Sequence, residues 1–253
     1  MSGLSQVVIT RPEADGRLGP LSAPSVDRSL GMKMLPGVLS MIAGSSDVIS
    51  FLGLSGLFTA HITGNLIIIA AHLVSGTRVN LAHLLSVPVF IVVLGLSRLL
   101  VAGLELAGLA SLRPLLLLQL LLIAGYLGFS VSAGPGAGHD SAITTLAGMF
   151  GVSAMAVQSA LVAVSLKGSP STTVMTTNIT RFVMDVGEVL FSSNSNQVAE
   201  ARRRARHTFP VIIGFGAGAG LGAGCFVAAS LWSVMLPTTL ALLALAMAVT
   251  DHA

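Results

Sequence analysis

The sequence predicts an all-α membrane protein, a bundle of transmembrane helices, from its composition, its charge distribution and its apolar windows. Of the 253 residues, 53% are apolar and 9% are charged, whereas soluble domains are about 25% charged. The charges are clustered, so that residues 209–249 contain none. Because a spanning helix needs about 20 apolar residues, this stretch is long enough for two spans. It also lacks the polar face that a soluble helix repeats every 3.6 residues or so.

The first 33 residues mix Ser, Gly, Pro and charges of both signs. They lack the short apolar core of a signal peptide. We therefore expect a disordered, cytoplasmic N-terminal tail over residues 1–33, followed by a single integral membrane domain over residues 34–253.

Six apolar windows predict transmembrane spans. They cover residues 36–57, 84–109, 114–133, 142–166, 208–230 and 231–249, with Pro237 close to the expected turn between the last two. Two further segments, 58–76 and 172–191, begin with polar runs that interrupt a helix. Each is a full span, a broken span or a re-entrant element, so the predicted total is six to eight spans.

The positions of Lys and Arg predict the orientation, since short cytoplasmic loops are rich in these residues. The N-terminal tail and a predicted loop with four arginines, Arg202 to Arg206, are both expected in the cytoplasm, which requires an even number of crossings between them. Six spans place Arg113 and Lys167 inside and Arg78 outside, whereas eight spans reverse all three. The loop charges therefore favour six spans by two residues to one.

The two halves of the membrane domain, about 36–133 and 141–250, share a pattern that predicts an internal repeat. Each contains an apolar span, a Thr-rich interruption that ends in Asn, and a further helix. Asp47 corresponds to Gln158 at an offset of 111 residues, and Asn65 corresponds to Asn178 at an offset of 113.

The most specific motif is a Gly44-x-x-Asp47 span followed by the run Phe58-Thr59-Ala60-His61-Ile62-Thr63-Gly64-Asn65. With the later Gln158 span and residues 172–178, this pattern resembles the YoaK-like family of bacterial integral membrane proteins, whose function is unknown. The resemblance covers nearly the whole chain after residue 33. It implies several helices and a bacterial inner-membrane location, and no substrate or reaction. The second half departs from the pattern, because Thr177 stands where a Gly is expected.

Asp47 lies near the middle of its predicted span, where an ionised side chain costs about 2.5 to 3.5 kcal/mol on insertion scales. It is either a structural carboxylate that bonds nearby groups or a group that binds protons or cations. Farther along, Asn178, Arg181, Asp185 and Glu188 share one helical face, with Arg181 and Asp185 spaced as an ion pair. This polar face lies at the membrane interface, is neutralised internally, or faces a substrate.

Interrupted hydrophobic segments at matching positions are typical of binding sites in repeat-built transporters. We therefore predict a transporter or permease of a small polar or anionic solute, with Arg181 attracting the anion and Asp47 titrating. The residues predicted to line its polar cavity are Asp47, Thr63, Asn65, Gln158, Asn178 and Arg181.

The alternative is a membrane protein that transports nothing and assembles with partners. Glycines at every second position from Gly214 to Gly224 would let another backbone approach closely, including that of a second copy of the chain. We expect no enzymatic activity, cofactor or metal site, because the motifs of such sites are missing. We also expect no nucleic-acid partner, since few aromatics accompany the basic cluster, which leaves the lipid bilayer as the expected surroundings.

Overall fold

The computed structural model describes residues 30–133 and 141–250, which contain helices and no strand. The helices are α1 Leu30–Gly53, α2 Ile62–Ser75, α3 Leu81–Leu106, α4 Leu112–Ala133, α5 Ala142–Ser165, α6 Met175–Phe191, α7 Ser195–Ala229, a short 3-10 helix Ser230–Val234, and α8 Met235–Thr250. The predicted all-α class is confirmed.

Five helical stretches are long and apolar enough in sequence to cross a membrane. Helices α1, α3, α4 and α5 qualify individually, and α7 and α8 lie together in one apolar stretch, Ser195–Thr250. Helix α2 has 14 residues, which gives it a length of only about 21 Å. The chain is therefore a helical membrane bundle. Its short α-helices are α2, α6 with 17 residues and α8 with 16 residues, and α8 continues the apolar stretch of α7.

Helices α1 and α7 run parallel and in close contact. Methyl groups added at Gly214 and Gly218 would overlap the backbone of α1, so these glycines permit the approach. The touching positions advance in the same direction on both helices: Gly37 with Gly214, Met41 with Gly218, and Ser45 with Gly222.

Helix α5 runs antiparallel to α1. The Gln158 side chain, late in α5, donates to the carbonyl oxygen of Leu39, early in α1, at 2.9 Å. At the other end, Asp47 binds Thr59, and a methyl group added at Gly151 would lie 2.7 Å from the Thr59 methyl carbon. The end of α1 is therefore level with the first half of α5.

The remaining contacts fix the other directions. Helix α4 is antiparallel to α5, since Ser111 meets Ser165 at 2.8 Å and Gln119 meets Gln158 at 2.7 Å. Helix α8 is antiparallel to α4, because Arg113 donates to the carbonyl oxygen of Ala248. Helix α3 is parallel to α5: its early residue Ala82 joins the core cluster that holds Leu57 and Ala147, and its late residue Val101 joins the cluster that holds Leu116 and Leu161.

These directions give six crossings. We call the end of the bundle where α1 begins the proximal end and the opposite end the distal end. Helices α1, α4 and α7 run from proximal to distal, and α3, α5 and α8 run back. Helix α2 thus starts from and returns to the distal end, and α6 does the same at the proximal end. Both are re-entrant, which is one of the alternatives that the sequence left open.

The two halves of the chain, α1 to α4 and α5 to α8, pack in the same pattern. Each of the following helix contacts has a counterpart when every helix is replaced by its equivalent in the other half. Helix α1 packs on α7 as α5 packs on α3; α2 packs on α3 as α6 packs on α7; α4 packs on α5 as α8 packs on α1. Because α1 and α5 are antiparallel, the two halves are inverted relative to each other. An inverted duplication of four helices produces this arrangement.

Two predicted boundaries near α1 differ from the structure. Helix α1 begins at Leu30, so the end of the predicted tail is helical, while residues 1–29 lie outside the described residues. The first span ends at Gly53 rather than at residue 57. Ser55 and Gly56 adopt positive φ angles of 58° and 83°, which end the helix and turn the chain back into the bundle.

The predicted loop of arginines is wrong, because residues 202–206 lie inside α7. The Asn194 side chain starts this helix early by accepting hydrogen bonds from the backbone of Asn196 and Gln197. The turn before α8 also comes earlier in the sequence than predicted. It is made by residues 230–234, and Pro237 lies in the first turn of α8, where its missing N–H costs no helical bond.

Candidate functional site

Asp47 fixes the chain where it returns into the bundle before α2. One carboxylate oxygen accepts hydrogen bonds from the backbone N–H groups of Thr59 at 2.8 Å and Ala60 at 2.6 Å, and from the Thr59 hydroxyl at 3.2 Å. The other accepts from the backbone of His61 at 3.1 Å. These donors precede a helix start, where backbone N–H groups lack helical partners. The geometry matches the structural alternative for Asp47.

Asn65 and Asn178 make the same kind of contact in the two halves. The buried Asn65 side chain accepts from the backbone N–H of Phe58 at 2.9 Å and donates to its carbonyl oxygen at 2.8 Å. The buried Asn178 side chain donates to the carbonyl oxygen of Ser171 at 2.6 Å. In each half the Asn binds the residue seven positions earlier and holds the re-entrant turn closed.

The structure also explains why Thr177 replaces the expected glycine. A methyl group added at Gly64 would lie 2.9 Å from ring carbons of Phe58 and His61. The position that matches Phe58 in the second half, 113 residues on, is Ser171, which carries no ring. The glycine is needed only where that ring packs against it.

Gln158 takes the place of Asp47 in the second half and joins four segments of the chain. Its side-chain nitrogen donates to the Thr172 hydroxyl and to the carbonyl oxygen of Leu39, both at 2.9 Å. Its side-chain oxygen accepts from Gln119 of α4 at 2.7 Å. Sequence reasoning missed Gln119, although it is the lone polar side chain in a run of leucines.

A carboxylate is needed in one half only. In the second half the backbone N–H groups of Thr173 and Val174 donate to the Ser171 hydroxyl, at 3.4 and 3.1 Å. Two of the backbone N–H groups that match the donors to Asp47 are therefore bound by Ser171 and do not need a carboxylate at position 158.

The six predicted cavity residues do not line one common cavity. Asp47, Asn65, Gln158 and Asn178 are buried and bind the re-entrant turns. The contacts of Asp47 lie level with Gly151, and those of Gln158 lie level with Leu39. Along α1, Leu39 and Asp47 are about 12 Å apart at 1.5 Å per residue. Thr63 and Arg181 are exposed. The buried residues thus form two related sites on opposite stretches of the α1–α5 pair.

Arg181 instead lines a basic cavity at the proximal end, which we call the vestibule. Its volume is about 630 Å³. Its charged and titratable lining residues are Lys167, Arg181, Asp185, Arg203, Arg204 and His207.

The predicted pairing of Arg181 with Asp185 is wrong. Arg204 of α7 binds Asp185 and Glu188, each at 2.8 Å, because α6 lies against α7 and brings both carboxylates to the same guanidinium. Within the described part of the chain Arg181 forms no ion pair, so its charge is directed at the vestibule.

A second cavity of about 230 Å³ adjoins the vestibule, and Gly168 and Ser169 line both. Its other polar lining residues include Ser159, Thr172 and Thr173. Thr172 is the residue that Gln158 binds. Polar groups therefore extend from the proximal surface to the re-entrant turn of the second half.

The glycines of α7 occupy two faces rather than one broad face. Gly214, Gly218 and Gly222 pack on α1, inside the molecule. Gly216, Gly220 and Gly224 have no other atom within 4 Å of an added methyl group. Only the second set is available to another molecule.

Comparison with known proteins gives a single kind of match. Residues 35–248 match a family model described as "Protein of unknown function (DUF1275)". No curated protein and no solved structure matches the chain. The match covers most of the chain, confirms the expected membership of an uncharacterised family and is compatible with the YoaK-like resemblance. The chain belongs to the DUF1275 family of proteins of unknown function.

Proposed function

We propose that the chain is a transporter or permease of a small anionic solute in the inner membrane of a bacterial cell. The observation that carries this proposal is the inversion of the two halves, each with a re-entrant helix that begins beside the central α1–α5 pair. Transporters built from inverted repeats bind their solutes near such interrupted helices and alternate by moving one repeat against the other.

The charge of the vestibule supports an anionic solute. Lys167, Arg181 and Arg203 line it, and the one acidic side chain in its lining, Asp185, is already bound by Arg204. A concave site lined by one sign of charge concentrates ions of the opposite sign. Arg181 is the residue we assign to the attraction of the anion.

The size of the second cavity, which adjoins the vestibule, supports a small solute. At about 230 Å³ it is below the range of about 300 to 1,000 Å³ that is usual for sites of drug-sized ligands. The Thr173 hydroxyl lies in its lining and can donate a hydrogen bond to an anion that has lost its water. The Ser159 hydroxyl, also in the lining, already donates to the carbonyl oxygen of Met155 at 2.9 Å.

Asp47 has a different role in this proposal from the titrating one that the sequence suggested. Its carboxylate already accepts hydrogen bonds from backbone N–H groups just before α2. We therefore assign it to holding the first re-entrant helix in place.

We further propose that the proximal end faces the cytoplasm. The structure brings Lys33, Arg113, Lys167 and the arginines of α7 to that end, and the α2–α3 connection with Arg78 lies at the distal end. Short cytoplasmic segments are enriched in Lys and Arg, which supports this orientation.

The proposal is tested by flux into vesicles that contain the purified chain, measured as osmotic swelling in chloride, acetate, phosphate and sulfate salts. Arg181→Gln is expected to slow the permeant anion about fivefold or more, as a loss of about 1 kcal/mol of attraction implies. Arg78→Gln removes the same charge at the distal end and should leave the flux unchanged. Wild-type vesicles no faster than empty ones for all four anions would overturn the proposal, as would equal loss in both variants.

A second candidate is assembly into oligomers, which the outward-facing Gly216, Gly220 and Gly224 favour. Helices in membranes associate through such small-residue ladders. Gly220→Leu should then shift the chain from oligomer to monomer in detergent. Gly218→Leu is unsuitable for this test, because Gly218 packs on α1. An unchanged oligomer in the Gly220 variant would exclude this face.

A further inference from the structure

An apolar groove lies between α6 and α7 on the side facing away from the vestibule. Its volume is about 340 Å³. Phe182, Val186 and Leu190 line it from α6, and Phe209 lines it from α7. The Phe182 and Phe209 rings pack with their centroids 5.6 Å apart.

The groove exposes apolar surface that no part of the described chain covers. Leu190 is 69% exposed and Phe209 is 49% exposed. Exposed apolar grooves mark sites where another apolar group binds. The occupant must therefore bring hydrocarbon to this surface.

Two arginines stand at one edge of the same groove. Arg202 and Arg206 are one turn apart on α7, and both line the groove. Within the described residues neither forms an ion pair, whereas Arg204 between them binds carboxylates on the other side of the helix. The groove thus combines an apolar floor with two exposed positive charges that are free to bind an anionic group.

The depth of the groove in the bundle identifies the kind of partner. Pro210 of α7 packs against Gly37 of α1, and the two helices are parallel, so Arg206 is level with Lys33 near the start of α1. Phe209 lies about one turn deeper, toward the apolar spans. The arginines are therefore at the level of lipid headgroups and the aromatic floor at the level of the acyl chains.

We propose that this groove binds an anionic phospholipid of the proximal leaflet. One acyl chain lies along Phe182, Val186 and Phe209, and the phosphate binds Arg202 and Arg206. Guanidinium groups bind phosphate oxygens in pairs of charge-assisted hydrogen bonds, and basic pockets between helices at a membrane surface bind acidic headgroups. Free phosphate would use only the arginines, whereas a phospholipid uses both parts of the groove.

The test is native mass spectrometry of the full-length chain in detergent, with phosphatidylglycerol or phosphatidylcholine carrying identical acyl chains. The chain should bind phosphatidylglycerol more tightly. Replacing both arginines, Arg202→Gln with Arg206→Gln, should weaken this binding about 30-fold, since each is worth roughly 1 kcal/mol near acidic lipid. The matched control is Arg203→Gln, which removes a charge from the vestibule side of α7 and should change binding less than about twofold.

A second variant tests the apolar floor and keeps both arginines. Ala205→Phe fills the groove, in which Ala205 is half-buried, and should weaken the binding of phosphatidylglycerol and phosphatidylcholine alike, because their acyl chains are identical. Glycerol phosphate, which has the headgroup and no chains, should not displace the lipid. Equal losses in the Arg203 variant and the double variant, equal binding of both lipids to the wild type, or displacement by glycerol phosphate would each overturn the proposal. Anion flux is measured separately, so failure here leaves the transport proposal standing.

Discussion

The carboxylate of Asp47 on α1 accepts a hydrogen bond from the backbone N–H of Ala60 at 2.6 Å, across the turn that separates α1 from α2. Two further backbone donors of this turn bind the same side chain. Irregular backbone at membrane depth is stable only when its polar groups find partners inside the protein. One aspartate supplies these partners for the first re-entrant turn.

Asp47→Asn should destabilise the chain. The amide keeps one acceptor oxygen and turns an NH₂ group toward backbone donors, and a buried donor without an acceptor costs about 1 to 3 kcal/mol. We expect a lower unfolding temperature in detergent. The neighbouring Ser46→Ala is the control, because the Ser46 hydroxyl is buried and binds no group within the described residues. Equal stability of the wild type and the Asp47 variant would contradict the capping role.

Asn65→Ala should cost more than Asn178→Ala. Asn65 makes two hydrogen bonds with Phe58, whereas Asn178 makes one with the Ser171 carbonyl and a weak one with a Met sulfur. At about 1 kcal/mol for each hydrogen bond, the two variants should differ by roughly that amount in thermal unfolding. Thr63→Ala, at an exposed position, serves as the reference. A reversed order would show that the two turns are held differently.

Gly218→Ala should destabilise the bundle and Gly220→Ala should not. The added methyl group at position 218 overlaps the backbone of Met41, whereas the one at position 220 meets open space. Both sites lie on α7, where Ala is about 1 kcal/mol more favourable than Gly. The unfolding temperature should fall for the first variant and stay level or rise for the second. Matching behaviour would mean that α1 and α7 are not in contact at this point.

The six-crossing topology predicts which residues share a side of the membrane. In a Cys225→Ser background, single cysteines at positions 167 and 203 should react with an impermeant thiol reagent from the same side, and a cysteine at position 78 from the other side. An eight-span chain would separate positions 167 and 203. Their labelling from opposite sides would therefore exclude the re-entrant assignment of α6.

The helical fold, the two interrupted segments 58–76 and 172–191, and the equivalence of Asp47 and Gln158 in the two halves were predictable. Each depends on local composition or on a repeated pattern. The inversion of the halves was only weakly predictable, through the count of loop charges. It depends on which helices meet, such as α1 with α7, whose touching residues are 177 positions apart. The pairing of Asp185 with Arg204 was missed for the same reason, since the nearer Arg181 satisfied the spacing of a helical ion pair.

The contact between α1 and α7 also bears on the order of events during synthesis. Helix α1 leaves the ribosome first and carries Ser40, whose hydroxyl donates to the carbonyl oxygen of Val211 on α7, a residue 171 positions later. Ser45 and Asp47 have their partners in α1 itself and in the turn before α2, whereas Ser40 lacks its acceptor on α7 until the second half is made. The side of α1 that packs on α7 is thus covered only when nearly all of the chain is in the membrane.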